Sequence, residues 1–136
     1  MTPVAVAACM EYRFEKHYTR EEAQALLPQV REWLQRLAHL RDERERQEKR
    51  LTSLMNPGQD RGGDLVNTSI RTLAQMQEIL AEFERREIFI KELDRGLVDF
   101  PAIIGGREVF LCWEQDEEDI EHWHDLDSGF AGREPL

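Results

Sequence analysis

Cysteine is scarce in this chain of 136 residues: Cys9 and Cys112 are the only two, and they form no C-x-x-C pair. No disulfide framework is implied, and a reducing cytoplasm is the expected compartment. Signature motifs are missing as well. There is no P-loop, no G-x-G-x-x-G and no serine nucleophile elbow, which removes the common phosphate cradles and serine-hydrolase chemistry. No D-x-D-x-D-G run marks a calcium loop. The opening "MTPVAVAACM" is mildly apolar, but it lacks a basic flank and is too short to span a bilayer. Residues 1–10 are expected to form a flexible leader.

Positive charge is in short supply in the last third. Residues 94–136 carry 12 Asp or Glu against 3 Lys or Arg, a net of −9. Residues 1–93 carry 16 against 15, a net of −1, and the two sum to the chain's −10. Such a field repels phosphate backbones and anionic lipid, so no nucleic acid and no membrane partner is expected. Cations and basic protein surfaces fit better. Hydrophobic residues make up 40% and charged residues 34%. That balance describes one helix-rich domain with a modest core, spanning residues 1–136.

What the chain does have is periodicity. "EYRFEKHYT" (11–19) alternates Tyr12 and Phe14 with charged neighbours and reads as a short strand or extended lead-in. Thr19 and Glu22 have capping-box spacing. An apolar stripe of Ala23, Leu26, Leu27, Val30, Trp33, Leu34, Leu37 and Leu40 then predicts a helix, with a kink expected near Pro28. "RDERERQEKR" (41–50) continues it as a solvated waist, where Asp42–Arg46 and Glu45–Lys49 have favourable spacing. "MNPGQDRGG" (55–63) breaks the helix. Asp64 can cap a second one, with Leu65, Val66, Ile70, Leu73, Met76, Ile79, Leu80 and Phe83 on one side. Residues 19–87 are therefore expected to form a helical hairpin whose second helix reaches back to about residues 30–33.

Residues 88–136 change character. "IFIKEL" (88–93), "LVDFPAII" (97–104) and "REVFLCW" (107–113) read as strands, with "GG" at 105–106 as a hairpin signal and Pro101 at an edge or bulge. A short helix over about 117–124 would turn Ile120 and Trp123 inward. The expected fold class is α+β: a long antiparallel helical hairpin, its first helix kinked, packed on a small antiparallel sheet with a short C-terminal helix.

At "KELDRGLVDFPA", "REVFLCW" and "WHDLDSGFAGR" the chain resembles the prokaryotic family known as domain of unknown function 2203, and "YTREEAQALLPQVR" resembles that family's N-terminal helix. The resemblance implies a small cytoplasmic α+β protein and names no activity. Cys112, Trp113, Glu117, Ile120, Trp123 and His124 fall on the family's pattern. His122 does not, and Asp116 and Glu118 stand where the pattern usually has glycine and often has proline.

Two kinds of function are open to such a chain. The first is a cytoplasmic interaction or structural protein, self-associating or bound to a protein partner, with Trp33 and Leu40 widening the first stripe enough for a dimer seam. The second is a small metal-dependent or ligand-binding protein with a site where the sheet meets the short helix. For a divalent metal the expected ligands are Cys112, Glu117 and His124. On a helix His122 and His124 diverge; in an extended segment they share a face. For a ligand or proton transfer the candidates are Lys91, Asp94, Asp99 and Arg133. Asp99 stands out as a carboxylate inside the apolar run "LVDFP", because it must be paired if buried. No catalytic residue is assigned.

Overall fold

The computed structural model describes residues 12–54 and 63–136. The expected leader and all but the last residue of the 55–63 breaker lie outside the described residues. Thr19 and Glu22 form the reciprocal capping box that their spacing predicts. The Glu22 amide donates to Thr19 Oγ1 at 3.1 Å, and the Thr19 amide donates to a Glu22 carboxylate oxygen at 2.9 Å. Helix α1 (Arg20–Leu54) follows for 35 residues, helical through Pro28. Helix α2 (Gly63–Arg85) returns along it. The antiparallel sense is plain from three contacts: Gln47 donates to Thr72 at 3.1 Å, Arg36 to Gln75 at 3.3 Å, and Trp33 meets Phe83 with ring centroids 5.3 Å apart. The second helix thus reaches residue 33, as its length predicts. Leu40 is buried, and Trp33 is half-buried against Phe83 with Arg86 over its ring. The widened edge of the first stripe is therefore covered from within the chain.

Five strands form one antiparallel meander: β1 (Phe89–Glu92), β2 (Leu97–Ile104), β3 (Arg107–Glu114), β4 (His122–Asp125) and β5 (Glu134–Pro135). Gly105 and Gly106, at φ 58° and 78°, close the β2–β3 hairpin in two residues, a turn that disfavours a side chain at either position. The turn sets a register running from Ile104↔Arg107 to Leu97↔Glu114. Val98, Phe100, Ala102, Val109, Leu111 and Trp113 face the helices and join Val30, Leu34, Leu37, Ile79 and Phe83 in the core. Leu97, Asp99, Pro101, Phe110 and Cys112 take the other face by alternation. Pro101 lies beyond the reach of β1. Its carbonyl accepts from the Tyr18 amide at 2.7 Å, so the missing N–H costs no ladder bond.

Residues 12–19 form no strand. They run as an irregular lead-in held by two carboxylates. Glu108 accepts from the Arg13 and Phe14 amides at 2.7 and 2.9 Å and lies 2.7 Å from His17 Nε2. Glu87 accepts from the Glu15 and Lys16 amides at 3.0 and 2.6 Å.

The short helix expected over 117–124 is not formed. Residues 115–121 are turn and loop, and 122–125 are β4. The reason is long-range hydrogen bonding. Arg31 of α1 donates to the carbonyls of Gln115, Glu117 and Glu118, and Trp113 Nε1 donates to Glu117 O at 3.0 Å. Gln24 accepts from the Ile120 amide at 2.9 Å, while Arg20 donates to Ile120 O at 2.7 Å. These side chains satisfy backbone groups that a helix would have paired internally. Ile120 still turns inward and is fully buried, and Trp123 packs on the core from β4.

Burial alone would raise the Glu108 carboxyl, but the bonds from His17 and the Arg13 and Phe14 amides outweigh it and hold Glu108 below its ordinary value of 4.5. A depressed carboxyl adds stability above its unfolded pKa and loses it as pH falls through the folded one. Glu108→Gln should therefore lower Tm at neutral pH, and the gap from the parent protein should close as pH drops below about 4. Thermal melts of both proteins across that range check it; a gap independent of pH would contradict it.

Candidate metal centre

The hairpin register places Asp99 directly opposite Cys112. On the far side of β3, His124 of β4 pairs with Phe110, one step along the same face. Alternation brings the three side chains to one spot on the sheet face turned away from the helices. One ligating atom from each, an Asp99 carboxylate oxygen, Cys112 Sγ and a His124 ring nitrogen, lie within 4.8 Å of one another. All three residues are buried, at 1%, 0% and 2% exposure.

The imidazole is oriented by its neighbour. His124 Nδ1 lies 2.7 Å from the Asp125 carbonyl, which can only accept, so Nδ1 carries the proton and donates. Nε2 is left facing the cluster, 3.0 Å from Asp99 Oδ2. This is the outer hydrogen bond that metal-ligating histidines use to fix tautomer and aim. The other Asp99 oxygen, Oδ1, is buried and meets no nitrogen or oxygen donor among the described residues, while the Cys112 thiol hydrogen-bonds the carboxylate. A buried carboxylate oxygen without a nitrogen or oxygen donor costs free energy, and a cation is one of the few groups that offsets it. Burial raises the Asp99 carboxyl above its usual value against the pull of His124, Lys91 and the Cys112 thiol. Burial, reinforced by the Asp99 carboxylate, pushes the Cys112 thiol up to about 12. The bare cluster therefore resists ionising, and a bound cation would reverse that preference.

A cavity of about 200 Å³ opens beside the cluster, walled by Leu97, Leu126, Gly129 and Phe130, with Lys91 and Asp127 as its charged lining residues. Lys91 Nζ is 3.9 Å from Asp99 Oδ2, lies over the Phe110 ring at 4.8 Å, and is nearly half exposed. Of the residues singled out from sequence, the structure brings Lys91, Asp99, Cys112 and His124 together. Asp94 is elsewhere, exposed and paired with Arg41 of α1. Arg133 pairs with Glu117 at 2.6 Å and stacks on Phe130 at 4.6 Å. Glu117 is spent on that pair and on the Glu114 amide at 2.8 Å, so Asp99 stands where Glu117 was expected. His122 shares the face of His124, as an extended segment requires, but it contacts Arg133 and Glu117 instead.

A model of the family described as "Uncharacterized conserved protein (DUF2203)" matches residues 16–136, and the chain belongs to that family. No curated protein and no solved structure matches the chain.

A thiol that is fully buried and titrates at about 12 is a poor nucleophile at neutral pH. In a Cys9→Ser background, native protein should give no reaction with an aromatic disulfide reagent, and one equivalent should appear on unfolding. Rapid reaction of the native protein would show that Cys112 is open to solvent.

Proposed function

We propose that this DUF2203 protein is a small metalloprotein that holds a divalent transition ion of the zinc class on Asp99, Cys112 and His124. The observation that carries the reading is the convergence of three buried metal-ligating side chains, Asp99, Cys112 and His124, with one ligating atom of each within 4.8 Å of the others. Charge supports it. A thiolate, a carboxylate and a neutral imidazole around a doubly charged ion sum to zero, the arrangement a buried site tolerates best. The donor set is mixed sulfur, nitrogen and oxygen, which suits zinc and its neighbours and disfavours magnesium and calcium. Tetrahedral geometry needs ligating atoms somewhat closer than the present 4.8 Å limit, a small contraction for side chains on adjacent strands. Binding would displace the proton shared between His124 Nε2 and Asp99 Oδ2, and the thiol proton.

Three protein ligands leave a fourth position. Zinc sites closed by four side chains are structural, whereas three ligands and an open position suit a bound water or small ligand. The adjoining cavity has room for that group, with the Lys91 ammonium and the Asp127 carboxylate both on its lining. The chemistry is that of a Lewis acid or a metal-bound water, with Lys91 as the orienting cation.

The test is metal content by elemental analysis of protein purified without chelator and again after reconstitution with zinc. About one equivalent is expected in the parent protein and in Glu117→Gln. Asp99→Ala, Cys112→Ser and His124→Ala should each bind about 10–100-fold more weakly or not at all, with helicity retained. No stoichiometric metal in the parent would sink the proposal, and loss in Glu117→Gln alone would return the site to the set expected from sequence.

A further inference from the structure

Helix α2 carries two apolar stripes, and only one of them has a partner among the described residues. Thr72, Met76, Ile79 and Phe83 face α1 and the core. Val66, Ile70, Leu73 and Leu80 lie roughly 100° further round the helix and are 38%, 59%, 37% and 45% exposed. They are four of the seven large apolar side chains left exposed among the described residues, so the exposure is concentrated on one face. Spacings of four, three and seven, with Gln77 filling the gap, follow a heptad seam. From Leu65 to Ala81 the charges are Arg71 and Glu78, and both point to a third side. In a chain that is 34% charged, an uncharged stripe of this length is a departure that needs a cause.

We infer that this face is the seam of a homodimer in which two copies of α2 pack antiparallel about a two-fold axis near Leu73. Three observations select a second copy. The two ends of the stripe are symmetric about Leu73: Val66 and Leu80 lie seven residues to either side, so each would meet the other across the axis, with Ile70 beside the centre. The chain is strongly acidic, and an uncharged face is where two copies can meet without repulsion. The acidic residues 94–136 follow the C-terminal end of α2, so antiparallel packing sets the two acidic sheets at opposite ends. Parallel packing would set them side by side, and would also align the helix dipoles.

The area fits a modest association. A standard interface buries about 800 Å² per partner, and a 23-residue helix, about 34 Å long and 10 Å wide, supplies roughly half of it. The stripe continues at Leu80 into a groove of about 540 Å³ with Phe14, Phe83, Ile88, Phe89 and Ile90 on its apolar wall and Arg13, Glu84 and Glu87 also lining it. The partner's Val66 end would lie over that groove. An interface of this size belongs to the weak, transient class, with a dissociation constant expected on the order of micromolar or weaker.

Sedimentation velocity of the full chain, across concentrations from about tenfold below micromolar to well above it, should show a monomer–dimer equilibrium. The dimer should tighten with added salt, because screening reduces acidic repulsion and leaves the apolar seam intact. Ile70→Glu with Leu73→Glu should shift the equilibrium to monomer by at least tenfold with helicity retained. In the Cys9→Ser background, Leu73→Cys should cross-link to itself on oxidation, while Arg71→Cys should not. A monomer at every concentration overturns the proposal, whether residues 1–11 or another protein occupies the stripe. A dimer indifferent to the double glutamate variant overturns it equally.

Discussion

The register of the β2–β3 hairpin is the constraint on which both the core and the candidate site depend. Two glycines at φ 58° and 78° close it, and the eight pairs from Ile104↔Arg107 to Leu97↔Glu114 follow without a bulge. Slipping that register by one residue would turn every side chain of one strand to the opposite face. Asp99 would then enter the helix-facing core beside Trp113 and Leu111, while Val98 and Phe100 would leave it. A carboxylate in that setting, without its histidine, is strongly unfavourable. The core selects against the slip, and in doing so holds Asp99 opposite Cys112.

The third member of the cluster is held from further away. His124 reaches it because residues 122–125 are extended, and they are extended because the preceding loop is tied to α1. Arg20, Gln24 and Arg31 bind the backbone of residues 115–120. Arg31 also stacks over Trp113 at 4.8 Å, so one guanidinium links helix, loop and strand. The first turns of α1 thereby set the position of a histidine about a hundred residues later. The Asp125 carbonyl then fixes which ring nitrogen faces the cluster. The site is thus built entirely on strands, with its supporting bonds drawn from a rigid helix.

Local chemistry was legible in the residues, and long-range chemistry was not. Thr19 and Glu22 announced their capping box, the two apolar runs their hairpin, and Gly105–Gly106 their turn. Each is a signal contained within a few residues. The stretch 117–124 suggests a helix because Ile120 and Trp123 stand at helical spacing after a run of acids, whereas in the structure Ile120 is buried from the loop and Trp123 packs on the core from β4. What separates the two arrangements is Arg31 and Gln24, more than eighty positions earlier. Glu117, expected beside Cys112 and His124 at the corner of strand and turn, instead pairs with Arg133 and the Glu114 amide. Asp99 carries a signal, a lone carboxylate in an apolar strand, and Lys91 of the neighbouring strand lies 3.9 Å from it; its buried partner His124 stands on a strand whose residues also suggest a helix. On α2, one broad apolar side was read where the structure separates two stripes, because Leu73 and Phe83 belong together only if the helix has one neighbour.

The proposed ligation of one divalent ion by Asp99, Cys112 and His124 has a spectroscopic signature of its own. Cobalt(II) titration of the full chain, followed by electronic absorption, tests it most directly, since the spectrum reports ligand type and geometry together. The account predicts saturation near one equivalent, with intense visible bands of four-coordinate cobalt and a near-ultraviolet thiolate-to-metal band that vanishes in Cys112→Ser. Weak octahedral bands alone, or a charge-transfer band that survives in Cys112→Ser, would contradict it.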